Sequence, residues 1–421
     1  MPNPSLLLLQ IAVILALCRL ATPVFGKLRQ PPVIAEMMIG LLLGPSCFGW
    51  VAPRLSALLF PASSLPALSM ISQVGLVLFM FLIGWRLDVS RLRAIGRLAL
   101  VISLVSIIVP FALGSSVAAV AWYRYAPTDV GRFSLSLFMG TAMSITAFPV
   151  LVRILDDQRL LKTSIGTLAI ACAAFDDAAG WLILAAITAI ARSGSFNDAG
   201  VPLVGLAAYG LLMMTAVRPA LARMAQRRGT KFGTAPADIG IVLIVMVSSA
   251  YTTEVLGVHA LFGAFFAGVT MPRATQAERV FAQSVEPIAA ALLLPLFFAF
   301  SGLRTNVQLI SGPDLWVQAL LILVVAVIGK GVGSAVAARV MGASWVEASL
   351  IGVLLNTRGL VELVVLNIGL DLGILSPVLF SMMVMMALIT TLATSPLVSL
   401  IRARAPADAH SLAIVSSDRA R

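Results

Sequence analysis

The run Ala171-Cys172-Ala173-Ala174-Phe175-Asp176-Asp177-Ala178-Ala179-Gly180-Trp181 sets two adjacent carboxylates midway along an apolar stretch long enough to cross a bilayer. A single Asp at the centre of a membrane helix costs about 2.5 to 3.5 kcal/mol on insertion scales, so an intramembrane pair points to a transport site. Neighbouring residues of a helix point about 100° apart, so Asp176 and Asp177 cannot both face one partner. One can meet a fixed cation while the other meets a water-filled cavity. Lys330, at similar depth in another apolar segment, is the fixed partner expected for Asp176, because an unpaired ammonium there is as costly as the carboxylates. Asp177 is then the open ligand. A carboxylate that holds either a proton or a hard monovalent cation, but not both, is a minimal exchanger and calls for no cofactor.

Hard cations take oxygen ligands, and Thr141, Ser144 and Thr146, with carbonyls freed at Pro149, can supply them. The same hydroxyls can equally bond back to their own helix. Arg358 and Glu362, four residues apart, meet on one helix face. They read first as a structural ion pair holding a broken helix, with a direct part in gating or in repelling cations as the alternative; Asn356 and Thr357 belong to the same polar break. His259 reads as a packing histidine rather than a pH sensor, and Glu36, Glu254 and Glu286 as interfacial.

The elements that must position these groups are membrane helices. Of 421 residues, 60% are hydrophobic and 11% charged, with a mean hydropathy of +1.03. That is an all-α polytopic membrane protein. The net charge of +11 comes from cations in short loops, which are topology signals and not a nucleic-acid surface. Cys18, Cys47 and Cys172 stand singly without metal-ligand spacing and read as packing residues. The apolar segment after Met1-Pro2-Asn3-Pro4 has its basic residues behind it, so it reads as a retained first helix and not a signal peptide.

Windows of about 20 residues give about thirteen spans, the second and ninth short. Alternate loops then separate the cations roughly four to one, as the positive-inside rule requires. One side collects Arg153, Arg159, Arg218, Arg227, Arg402 and their like; the other holds only Arg54, Arg124, Arg132, Arg192 and Arg304. The N-terminus is expected outside and the C-terminus in the cytoplasm, in a bacterial cell membrane, with 402–421 a short tail and no soluble domain.

The spans divide into two inverted repeats joined through the seventh. The fifth and twelfth occupy matching positions, and both are interrupted, one at Ser144-Ile145-Thr146-Ala147-Phe148-Pro149 and one at Asn356-Thr357-Arg358-Gly359. Either alone reads as an ordinary kink; together they place a site where two discontinuous helices cross.

The chain resembles the monovalent cation:proton antiporters, in the branch of plant and fungal cation/H⁺ exchangers and their bacterial relatives. The resemblance rests on Ser144-Ile145-Thr146-Ala147-Phe148-Pro149-Val150, Phe175-Asp176-Asp177, Gly257-Val258-His259-Ala260-Leu261-Phe262-Gly263-Ala264-Phe265, Leu294-Pro295-Leu296-Phe297-Phe298 with Ser301-Gly302-Leu303, and Asn356-Thr357-Arg358-Gly359-Leu360-Val361-Glu362-Leu363. It implies a homodimer in which core helices, mainly 97–192 and 313–401, move elevator-like against scaffold and dimerisation helices, mainly 1–96 and 200–310. It implies cation binding at Asp177 and an Asp176–Lys330 ion pair, with Na⁺ or K⁺ and H⁺ as partners. Ligand gating through a regulatory domain is not expected. The alternative is a sodium-coupled symporter of a small organic solute, which wants a roomier cavity. An intramembrane aspartyl protease needs carboxylates facing each other, which adjacent residues of one helix cannot do, so no enzyme is expected.

Overall fold

The computed structural model describes residues 4–28, 30–86, 96–193, 200–229, 232, 236–272 and 276–404. Most of the tail 402–421 and the loop cations Arg29, Arg91, Arg93, Lys231, Arg273, Arg419 and Arg421 lie outside the described residues, as does the side chain of Arg192.

The described chain is helical throughout: α1 (Pro4–Lys27), α2 (Pro32–Leu43), α3 (Leu65–Arg86), α4 (Arg97–Val117), α5 (Arg132–Ser144), α6 (Phe148–Asp157), α7 (Ser164–Ser193), α8 (Gly200–Leu212) and α9 (Arg218–Arg228). There follow α10 (Pro236–Val255), α11 (Ala260–Thr270), α12 (Gln276–Ile288), α13 (Leu294–Leu303), α14 (Pro313–Ala326), α15 (Gly333–Val340), α16 (Trp345–Leu355), α17 (Leu360–Asp371) and α18 (Pro377–Ala403). Among the described residues, eleven spans are long and apolar enough to cross a membrane, and the bent pair α16 and α17 makes a twelfth. The expected ninth span is α11, whose 11 residues rise only about 17 Å against a hydrocarbon core of about 30 Å. By length it is a short apolar helix and not a full crossing.

The chain divides into two compact units: Met1–Ala16, Arg54–Asp88 and Leu184–Phe300 form the first, and Leu17–Pro53, Val89–Ile183 and Ser301–Arg421 the second. In the first, α3 and α11 pack backbone to backbone. A Cβ on Gly268 would collide with the carbonyl of Phe81, and one on Gly84 with that of Phe265, so only glycine permits the approach. Phe81, Trp85 and Phe281 form an aromatic cluster with centroids 5.5 to 5.7 Å apart. His259 caps α11, its Nδ1 accepting from the N–H of Leu261 at 3.4 Å, while Glu254 accepts from the N–H of Ala260 at 2.9 Å. Glu286 forms an exposed ion pair with Arg86.

In the second unit the order helix, broken helix, helix recurs: α4, α5 with α6, α7, and again α14 with α15, α16 with α17, α18. Glu36 lies one turn into α2, half-buried. The first break, Ile145–Ala147, ends where Pro149 enters the first turn of α6, a position that needs no N–H and suits a fixed φ. The second break, Asn356–Gly359, bends α16 from α17 by 40°. The two breaks touch: the N–H of Ala147 donates to the carbonyl of Thr357 at 3.1 Å. A Cβ on Gly359 would sit 2.6 Å from Val150 Cγ2, so this crossing needs glycine there.

Candidate functional site

Breaking a helix inside an apolar layer strands backbone carbonyls and N–H groups, and each must find a partner. The chain supplies two cations at the end of α5. Arg358 donates from Nη1 to the carbonyls of Ala142 (3.0 Å) and Ile145 (3.3 Å), and from Nη2 to that of Met143 (2.8 Å). Lys330 donates to the carbonyl of Ser144. Both charges thereby sit at the negative end of the α5 dipole. Lys330 reaches this point from a π-helical turn, Val327–Val332, an irregularity often found at functional sites.

Each cation also meets a carboxylate. Lys330 Nζ lies 3.2 Å from Asp176 Oδ2, both side chains fully buried. The same oxygen accepts from Ser106 Oγ at 2.5 Å and Thr146 Oγ1 at 2.7 Å, and Ser106 in turn accepts from Lys330 at 3.1 Å through Oγ and at 3.0 Å through its carbonyl. Arg358 Nη1 lies 3.4 Å from Glu362 Oε1, again fully buried, at the start of α17. Asp177 differs. It is 4% exposed, neither carboxylate oxygen takes a hydrogen bond, and unlike Asp176 and Glu362 it forms no ion pair. The N–H of Phe148, at the positive start of α6, acts on it electrostatically without closing one.

The supporting residues divide. Thr146 is in the first break and holds Asp176. Thr141 lies within α5 and donates to the carbonyl of Leu137 at 2.8 Å, and the Ser144 hydroxyl donates to that of Thr141 at 2.8 Å, so both bond back to their helix. Ser144 takes part through its carbonyl instead. Pro149 shapes the break from the first turn of α6. In the second break, Asn356 Oδ1 is buried without a partner, and Thr357 Oγ1 lies 3.4 Å from Thr394 Oγ1.

Sequence reasoning overlooked Ser106, Thr391 and the carbonyls held by Arg358. Thr391 accepts from the N–H of Arg358 at 3.1 Å, and its hydroxyl lies 2.8 Å from the Arg358 carbonyl. The signals were present as Ser103 and Ser106 one turn apart in α4 and as the Thr390-Thr391 and Thr394-Ser395 pairs in α18. All three cysteines are free, and no group of three or more His, Cys, Asp or Glu among the described residues could hold a metal ion.

Two broken helices crossing at a buried ion pair, with a free carboxylate beside them and the helix order repeated, define a secondary membrane transporter of the inverted-repeat kind. The chain belongs to the sodium/hydrogen exchanger family, whose transmembrane model matches residues 12–400. It is 40% identical over 406 residues to the Na(+)/H(+) antiporter NhaS4 of Synechocystis, covering 96% of this chain and 98% of that protein. It is 34% identical over 407 residues to the K(+)/H(+) antiporter 1 of Saccharomyces cerevisiae, covering 94% of this chain and 46% of that one, so it spans about half the yeast relative's length. The sodium proton antiporter MjNhaP1 of Methanocaldococcus jannaschii has the same fold, with a TM-score of 0.69 over 94% of this chain and 98% of that chain at 13% identity. The family is one of transporters and not of enzymes, and the protease reading falls with that.

Proposed function

We propose that this chain is a secondary active antiporter that exchanges Na⁺ or K⁺ for H⁺ by alternating access, with Asp177 as the residue that both ions share. The observation that carries the assignment to Asp177 is that, at 4% exposure, it has neither a hydrogen bond nor an ion pair, whereas Glu362, also without a hydrogen bond, has Arg358 at 3.4 Å. A buried carboxylate costs free energy unless its charge is matched, so one left unmatched by protein suits a mobile proton or cation. Asp176 and Lys330 hold the structural and coupling charge, and Thr146 fixes Asp176 across the first break. Arg358 and Glu362 keep both breaks in place, while Asn356 and Thr357 line the second.

In this reading residues 97–192 and 313–401 carry the site as a moving core against 1–96 and 200–310, in a homodimer. The N-terminus lies outside and the C-terminus in the cytoplasm of a bacterial cell membrane, following the loop cations. Everted vesicles loaded by respiration and read with a pH-sensitive dye test the reading. Adding Na⁺ or K⁺ dissipates the proton gradient, and silence toward every alkali cation would sink it. Comparing the half-saturating Na⁺ and K⁺ concentrations ranks the ions, and reversal potentials with Lys330 intact and as Lys330→Gln report the stoichiometry.

A further inference from the structure

A second feature of the second unit stands apart from the carboxylate site. An open cavity of about 460 Å³ lies where the ends of α1, α6 and α18 meet the start of α2, within the size range of small-ligand pockets. Arg153, Arg159 and Arg402 line it against a single acid, Asp157, which pairs with Arg153 at 3.4 Å. Three guanidinium groups against one carboxylate repel Na⁺ and K⁺, so the cavity is no step on a cation path.

Loop arginines on one side of a membrane protein usually fan into water. Two of these stand out. Arg402 donates from Nη1 to the carbonyl of Gln158 at 2.9 Å. Arg159 is the only described non-glycine residue with a positive φ, at 56°, just past the end of α6, where glycine carries no steric penalty. An arginine in a glycine's conformation points to use of its side chain.

The cavity also touches two glutamines that are more than nine-tenths buried, Gln30 and Gln158. Their unpartnered amide atoms are closed off from solvent, so the arginines are the groups that a ligand in the cavity meets.

We propose that this cavity binds an anionic phosphate ester, with Arg153, Arg159 and Arg402 on the phosphate. Guanidinium groups match phosphate oxygens in pairs, which favours phosphate over a carboxylate of equal charge. The ester can be a phosphatidylglycerol headgroup from the leaflet beside these helix ends or a soluble glycerol phosphate.

Thermal unfolding of the detergent-purified full chain, followed by tryptophan fluorescence, tests this without reference to transport. The probes are dihexanoyl phosphatidylglycerol, dihexanoyl phosphatidylcholine and glycerol 3-phosphate. Phosphatidylglycerol raises the midpoint by about 3 °C at saturation, phosphatidylcholine does not, and Arg159→Gly requires about tenfold more phosphatidylglycerol for the same rise. Arg159→Gly suits the local backbone, so it folds; Arg402→Gln serves as the second variant. A response to glycerol 3-phosphate as well assigns the site to soluble esters, and a response to phosphatidylglycerol alone assigns it to lipid. Equal shifts with phosphatidylcholine, equal responses in wild type and both variants, or no shift with any probe overturn the proposal.

Discussion

The two helix breaks solve one problem by different means. At Ile145–Ala147 the stranded carbonyls of α5 are held by full charges, Arg358 and Lys330. At Asn356–Gly359 the stranded groups of Arg358 are held by the hydroxyl of Thr391, and the Thr357 carbonyl takes a neutral N–H from Ala147. The charged solution is the costlier to build, because each buried cation needs a buried anion, here Asp176 and Glu362. It gives something the neutral solution cannot. With Lys330 shared between Asp176 and the Ser144 carbonyl, the adjacent Asp177 is left without a partner of its own. In the proposed function the first break therefore carries the ion chemistry, and the second fixes the geometry.

Asp177→Asn tests the ion-binding role of the first break most severely. The change removes the shared binder but no hydrogen bond, so exchange in everted vesicles is abolished while the unfolding temperature in detergent is unchanged or raised. Retained exchange would move the site elsewhere. Next comes Arg358→Leu, which strands three carbonyls and leaves Glu362 buried and unpaired. A loss of about 3 to 5 kcal/mol of stability is expected, read as a large fall in the detergent unfolding midpoint. The double change Arg358→Leu with Glu362→Leu recovers part of it. A single change costing less than about 1 kcal/mol would mean that the carbonyls do not depend on the guanidinium.

Ser106→Ala tests the Lys330 side of the first break. Its hydroxyl bridges the ammonium and the carboxylate at 3.1 and 2.5 Å. Hydrogen bonds to charged groups contribute about 1.5 to 3 kcal/mol. The variant folds less stably by that order and exchanges more slowly, yet still exchanges, because Asp177 is untouched. Abolished exchange in a protein that folds normally would make Ser106 an ion ligand and not a positioning residue.

What the chain discloses without coordinates follows from how unusual each residue is in its surroundings. Asp176, Asp177, Lys330 and Arg358 are charges in apolar spans, so their cost exposes them, and pairing follows from cost alone. Pro149 and Gly359 mark the breaks because their backbone chemistry is distinctive. Ser106 stayed hidden because a serine in an apolar helix ordinarily bonds to its own turn, as Thr141 and Ser144 do. The carbonyls held by Arg358 carry no residue-type signature at all. The short α11 passed for a span because apolar residues before it, in α10, extend the hydrophobic window. The arginine cavity joins residues as distant as Gln30, Gln158 and Arg402, which no local pattern connects.

The smallest effect falls on the neutral break. Thr391→Val keeps the shape of the side chain but removes the group that accepts from the N–H of Arg358 and faces its carbonyl. No charge is stranded, and the Arg358 side chain keeps its grip on α5 from the other direction. The expected cost is about 1 kcal/mol, the low end for a buried backbone donor left unpaired. Exchange continues with a modest fall in rate, and Thr391→Ser, which retains the hydroxyl, matches wild type in both measurements. If Thr391→Val were instead as damaging as Arg358→Leu, the two breaks would share one energetic scale. The division between a charged break for ions and a neutral one for geometry would then fail.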